Sequence, residues 1–284
     1  MLVYAGHTIM IKLESRNNEI KKSDLAVLVV SCDKYSDMWG PFFQLFWRFW
    51  PDCTFKVYLL CNNLRIYLPK VNMLLIGDDI SWSDNLKKAL QLIREEYVLL
   101  FIDDLFLLSP VQAERLEKVF SWIIVNRPNC VRMNCYADNY PVPNKPDKPY
   151  NDFLGIVSKG MDYRVSTVLT VWKREYLMNL LGEGENAWEF EICGTERANF
   201  SDGYYSTYEN HFHVVNCVIR GKWRPSAICK LNDIGIKINK EGRLCMTTIE
   251  TLKLFIKERI SYLLSILPAG LKRRIRKAIM NRKA

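Results

Sequence analysis

Two adjacent carboxylates, Asp103 and Asp104, directly follow the apolar run 97–102, YVLLFI. An unbroken run of that length reads as a strand covered on both faces. Open α/β sheets place their ligands at the carboxyl ends of such strands. Two unpaired carboxylates there make a seat for a hard divalent cation, Mn²⁺ or Mg²⁺, and through it for a diphosphate. Asp104 would be the direct ligand, with Asp103 beside or just behind it. The alternative is that one Asp caps the next turn and the other is simply solvated. A third carboxylate, Asp33, lies just past an earlier apolar run, LAVLVVS at 25–31, where a backbone turn can meet a nucleotide base or ribose.

The elements that must position these groups follow a regular cadence. Leu86, Ala89, Leu90 and Ile93 recur at helical spacing, with Ser83 or Asp84 as the expected cap. Runs at 25–31, 55–60, 73–76 and 97–102 read as strands. Between the first two lies a helix whose Phe42, Phe43, Leu45, Phe46 and Phe49 are core packing rather than a cofactor box. Further on, a helix is expected over 111–125 and a strand near 130–135. A proline-rich loop at 137–155 has the length of a lid or acceptor-binding surface. A strand is expected at 163–170, a helix at 172–181, another opening at 188–191, strand-like sequence at 208–220, and helices at 249–267 and from 271. His211 and His213 would share one face of a strand, with structural roles favoured because no further ligand stands at metal spacing. This order predicts an α/β fold: a mostly parallel central sheet covered by helices, with a C-terminal helical extension. There is no GxGxxG and no P-loop.

Composition narrows the classes. The 284 residues are 49% hydrophobic and 12% aromatic, enough for a sizeable core and inconsistent with disorder. Nine cysteines without a CxxC pair, and no stretch resembling a secretory signal, lead us to expect a reduced, cytoplasmic chain. No apolar run reaches the ~20 residues needed to cross a bilayer. The net charge of +9 is concentrated at one end: from Arg259 onward there are eight Lys/Arg and no Asp/Glu. The body is therefore nearly neutral, and nucleic acid is not an expected partner. In the tail, Leu271, Ile275, Ala278 and Ile279 form an apolar stripe ringed by Lys and Arg. That division suits a short helix lying on an anionic membrane surface, peripheral on the inner face of the cell membrane.

Ser83–Asn85 at the start of one helix, FIDD at 101–104, and residues 163–181 followed by WEFE at 188–191 together resemble nucleotide-sugar glycosyltransferases of the GT-A fold. In those enzymes a helix with an early Asn leads into a hydrophobic strand ending in a DxD-type motif; here the pair is Asp-Asp followed by Leu105. The resemblance covers about residues 25–225, and the whole chain looks like a bacterial cell-surface polysaccharide glycosyltransferase. It implies a GT-A-like (Rossmann-like) domain at 25–246, after a leading segment 1–24 and before C-terminal helices at 247–284.

The same resemblance implies transfer of a sugar from a nucleoside-diphosphate donor to a saccharide or lipid-linked acceptor, with inversion. A carboxylate at a helix start would be the base, here Glu189 or Glu191. Residues i and i+2 face different ways on a helix, so only one should point into the cleft. Asn85 would hydrogen-bond the nucleotide, while Arg164 and Lys222 would reach the diphosphate. Rival readings are a non-catalytic binding protein of the same fold and a nucleotidyltransferase. The latter usually carries a Gly-rich basic loop after the first strand, which residues 32–40 lack.

Overall fold

A computed structural model describes residues 24–135, 145–239 and 242–266. Nearly all of the leading segment, part of the long loop, and the basic tail helix lie outside them.

The sheet is built outward from β1 (Leu25–Val30), all six of whose residues are buried. Successive side chains of a strand point to opposite faces. Leu25, Val27 and Val29 join one core cluster, while Ala26, Leu28 and Val30 join another. A strand with two apolar faces has to be internal, and β1 lies between β2 (Lys56–Cys61) and β4 (Tyr97–Ile102), parallel to both. β3 (Val71–Leu75) continues the parallel half beyond β2. On the other side of β4 come β9 (Thr170–Lys173), β6 (Cys130–Arg132), β10 (Tyr204–Thr207), β8 (Leu154–Ile156) and β7 (Lys148–Pro149). Only β9 and β8 run against the common direction of this nine-stranded sheet. Two small ribbons are appended. β5 (Leu105–Leu107) pairs with β11 (Val214–Asn216), and β12 (Val218–Ile219) with β13 (Lys222–Trp223).

Helices cover both faces. α1 (Ser36–Phe49) lays Met38, Trp39, Phe42, Phe43, Leu45, Phe46 and Phe49 on one face, which it shares with α3 (Ala113–Asn126) and α6 (Pro225–Asp233). Phe101 of β4 is the hub of that layer. Its ring meets Phe42, Phe46 and Phe212 edge-on at centroid distances of 6.1, 5.8 and 5.2 Å. The opposite face is closed by α2 (Trp82–Leu92), α4 (Arg174–Leu180) and α5 (Ala187–Ala198). α7 (Thr248–Ile266) follows as the C-terminal extension of the described chain.

Several local expectations are corrected. The cap of α2 is Ser81, whose Oγ accepts the Asp84 amide at 3.1 Å, rather than Ser83 or Asp84. Of the strand expected at 163–170 only Thr170 is in one, because Tyr163 and Leu169 sit at φ +52° and +47°. The strand there is β9, so the helix expected at 172 begins at Arg174. The 208–220 stretch is broken into β11 and β12. His211 and His213 lie outside any strand, and burial pushes the His211 imidazole down to about 4.

Truncating Phe101 should cost roughly 3–5 kcal/mol, as for buried aromatics in general. Phe200→Ala, at a site 90% exposed, should stay within about 0.5 kcal/mol of wild type. Urea unfolding of the two variants checks the contrast.

Candidate active site

The register Val30↔Ile102 brings the residues that follow these two strands, Ser31 and Asp103, side by side at the carboxyl edge of the sheet. Ser31 Oγ donates to Asp103 Oδ2, and Trp39 Nε1 in turn donates to Ser31 Oγ at 2.6 Å. Asp103 is buried. Asp104 is partly exposed, and its carbonyl accepts the Cys217 amide at 2.8 Å, which pins the turn to the β11–β12 region. Burial, and then the neighbouring Asp104 charge, hold the Asp103 carboxyl well above the usual carboxylate range. Burial likewise pushes Asp104 up to about 7, against the opposing pull of its own backbone amide and of Arg243.

That arginine was invisible in the sequence. Arg243 grips Asp37 through two bonds, Nε to Oδ2 at 2.9 Å and Nη2 to Oδ1 at 2.8 Å. It also donates to the carbonyls of Gly221 and Lys34, and its guanidinium lies 4.3 Å from the centre of the Tyr35 ring. Its charge favours ionisation of both Asp103 and Asp104. Ser31 had a readable signal, as the polar residue closing an apolar strand. Asp37 and Arg243 had none.

Asp33 acts as a clasp. Its carboxylate accepts the backbone amides of Asn62, Asn63 and Leu64, each at 2.9 Å. Desolvation works the other way, yet these three donors hold its carboxyl below the usual range. Asn62 returns a bond to the Asp33 amide and reaches the carbonyl of Gly77, whose φ of +78° suits glycine. Buried Asn85 performs the same kind of work one loop later. Its Nδ2 donates to Asp79 Oδ1 at 2.6 Å, and its Oδ1 accepts the Ile80 amide. Asp33 and Asn85 therefore shape the loops at the carboxyl ends of β1, β2 and β3.

The two candidate bases part company on α5. Glu189 is exposed and closes a capping box: its Oε2 accepts the Asn186 amide at 2.9 Å, while Asn186 Oδ1 accepts the Glu189 amide at 3.0 Å. Glu191 is buried, and its Oε1 accepts both the amide and the hydroxyl of Thr167, at 2.8 and 2.9 Å. Burial raises its carboxyl above the usual range, offset in part by Thr167 and by the Arg132 charge. Thr170 pairs with Leu100, so residues 167–169 run on past the same sheet edge as Asp103. Glu191 thus hangs from the segment that leads into β9 at that edge. Bonds between Ser83 and Glu185 and between Asp84 and Gly184 also seat the start of α2 against the loop leading into α5.

Arg164 and Lys222 are committed elsewhere. Buried Arg164 donates to the carbonyls of Val157, Ala198 and Ser201 and lies 3.9 Å from the centre of the Tyr204 ring. Lys222 pairs with Glu250 of α7 at 2.6 Å. Neither side chain joins the carboxylate pair. Among the described residues no three His, Cys, Asp or Glu side chains cluster as metal ligands. Asp103 and Asp104 would fit a cation only as a two-carboxylate seat, with the remaining ligands supplied from outside the protein, because a cation would relieve their crowding.

No family model and no curated protein matches the chain. Among solved structures it is similar to S. aureus TarS 1-349 in complex with UDP-GlcNAc, with a TM-score of 0.48 and 11% identity, covering 91% of this chain and 72% of that one. Against the longer S. aureus TarS structure the TM-score is 0.45 at 11% identity, and the chain spans 43% of that length. Against the bifunctional IspDF from Campylobacter jejuni the TM-score is 0.34 at 14% identity, over 57% of this chain and 44% of that one.

A carboxyl that holds its proton more tightly when folded stabilises the fold fully below its unfolded value, near 3.8 for Asp104, and loses that contribution as pH rises through about 7. Asp104→Asn should therefore melt higher than wild type at pH values above that range and show a shallower loss of stability on the way there. Identical melting profiles across pH would exclude the buried-charge account of this turn.

Proposed function

We propose that the protein is a nucleotide-sugar glycosyltransferase, with the catalytic unit spanning residues 25–246. The observation that supports this best is the pairing of two functions at one sheet edge. The crowded carboxylates Asp103 and Asp104 lie at the end of β4, and Glu191, buried with its carboxyl raised above the usual range, hangs from the segment that leads into β9 at the same edge. Transfer requires that charge growing on a leaving diphosphate be stabilised and that an acceptor hydroxyl lose its proton.

In this reading Asp104, backed by Asp103, would hold a divalent cation, which neutralises the diphosphate when bound. Glu191 takes the proton of the acceptor hydroxyl. The freed oxygen attacks the anomeric carbon as its bond to the diphosphate oxygen breaks, and the nucleoside diphosphate leaves with the bonding electrons. A separate base on the acceptor side gives inversion. Thr167 orients the Glu191 carboxylate, and its burial brings its proton affinity toward a working value. The loops fixed by Asp33 and Asn85 border the nucleotide, and Arg243 supplies the standing positive charge. Glu189, occupied in its cap, is left with a structural role.

The acceptor would be a saccharide, or a lipid-linked one, in cell-surface polysaccharide synthesis. The basic segment 271–284 would then hold the enzyme peripherally on the cytoplasmic face of an anionic membrane. Among the described residues no helix is long and apolar enough to cross a membrane.

Asp104→Ala should abolish donor turnover, measured as nucleoside diphosphate released from a panel of sugar nucleotides with Mn²⁺ or Mg²⁺, while the circular dichroism spectrum is retained. Normal turnover with an unchanged metal requirement would remove the cation seat. Glu191→Gln should lose roughly 10²–10⁴ in transfer rate with donor binding preserved. Glu189→Gln should change the rate little and instead lower the melting temperature slightly. The reverse pattern would move the base to Glu189, and full activity in both variants would discard the assignment.

A further inference from the structure

α7 divides its surface in an unusual way. Its two acidic residues are turned toward the body of the protein: Glu250 pairs with Lys222 at 2.6 Å and Glu258 with Arg224 at 3.4 Å. Glu250 also closes the helix start by accepting the Thr247 amide at 2.9 Å. Away from these contacts, Ile249, Leu252, Ile256, Ile260 and Leu263 are between 49% and 66% exposed. At about 100° per residue those five fall within an arc of roughly 80°. Lys253 and Lys257 flank the arc on one side and Arg259 on the other, all exposed. Beyond Ile266 the sequence continues with seven Lys/Arg and no Asp/Glu.

Exposed apolar patches of this extent mark interaction sites, and the charges choose the occupant. A second copy of the chain laid against this face would bring Lys253, Lys257 and Arg259 together with their counterparts. The two acids of α7 are already paired with the body. An anionic lipid surface accepts the apolar stripe among its acyl chains and the flanking cations at its headgroups. The helix is not apolar enough to cross, so it would lie flat.

We infer that the outward face of α7, residues 249–263, docks on an anionic membrane, with the body carried above the surface through the Lys222–Glu250 and Arg224–Glu258 pairs. This adds a second, structured contact to the tail proposed above. Vesicle binding is read without any transfer reaction, so the inference and the glycosyl-transfer reading fail separately.

The test is co-sedimentation of the full chain with phosphatidylcholine vesicles, with and without a third of phosphatidylglycerol, at low and high salt. Wild type should bind the anionic vesicles, less so in high salt, and bind the neutral ones weakly. Ile256→Glu with Ile260→Glu should lower the apparent affinity at least about tenfold. Lys253→Glu with Lys257→Glu should weaken binding at low salt. If the first pair disturbs folding by circular dichroism, Ile256→Ser with Ile260→Ser takes its place. Deleting 269–284 should weaken binding but leave a remainder sensitive to the isoleucine changes. Three results would overturn the inference: no binding by wild type, undiminished binding by the isoleucine variants, or a solution dimer that those same substitutions dissociate.

Discussion

The hydrogen bond from Ser31 to Asp103 joins the two central strands at the point where their ladder ends. Behind it the Trp39 indole N–H donates to the hydroxyl oxygen, which ties the first buried turn of α1 to the same spot. The register of β1 against β4, the seating of the aromatic helix and the position of the carboxylate pair are thus one constraint seen from three sides. Moving any of them would leave a buried carboxyl without its donor, and an unmet buried polar group is costly. The same crowding gives the pair its chemistry. Two carboxylates side by side at a desolvated edge resist ionising together, and a standing cation such as Arg243 relieves this only in part.

A second set of contacts governs the bordering segment 163–169. Its two left-handed residues, Tyr163 and Leu169, are strained conformations for non-glycine side chains. They persist because the surroundings over-determine them. Arg132 donates to the carbonyls of Tyr163 and Arg164, the Met133 amide donates to Leu169, and Arg164 anchors to the C-terminal end of α5. Two buried arginines thus act as backbone braces. The rigid result presents the Thr167 amide and hydroxyl to Glu191, so the carboxylate is held by backbone that is itself held.

The parts of this arrangement that could be read from the sequence are the ones governed by short-range rules. Six-residue apolar runs ending in a polar residue marked β1 and β4, and therefore the edge where Asp103 and Asp104 stand. The opening of α5 was marked by WEFE at 188–191, although nothing in i, i+2 spacing said which glutamate turned inward. Alternation misled at 163–170, where burial is set by tertiary enclosure rather than by a pleat. Arg164 read as a strand arginine able to reach the diphosphate for the same reason. Lys222 looked free because its partner, Glu250, sits on a distant helix. Arg243 and Asp37 are separated by 206 positions, and no local pattern links an arginine in a polar loop to a carboxylate in the first turn of an aromatic helix.

That separation has a consequence for how the protein is made. All the strands of the parallel half of the sheet, from β1 through β4, have been synthesised by residue 102, whereas a domain folds as a unit. The cation that balances its carboxyl edge arrives only when residue 243 has left the ribosome. Until then Asp37, Asp103 and Asp104 lack the arginine that the folded site sets among them. Closure of the Arg243 clamp is therefore a late event in biogenesis, and it couples readiness of the site to synthesis of almost the whole folded body.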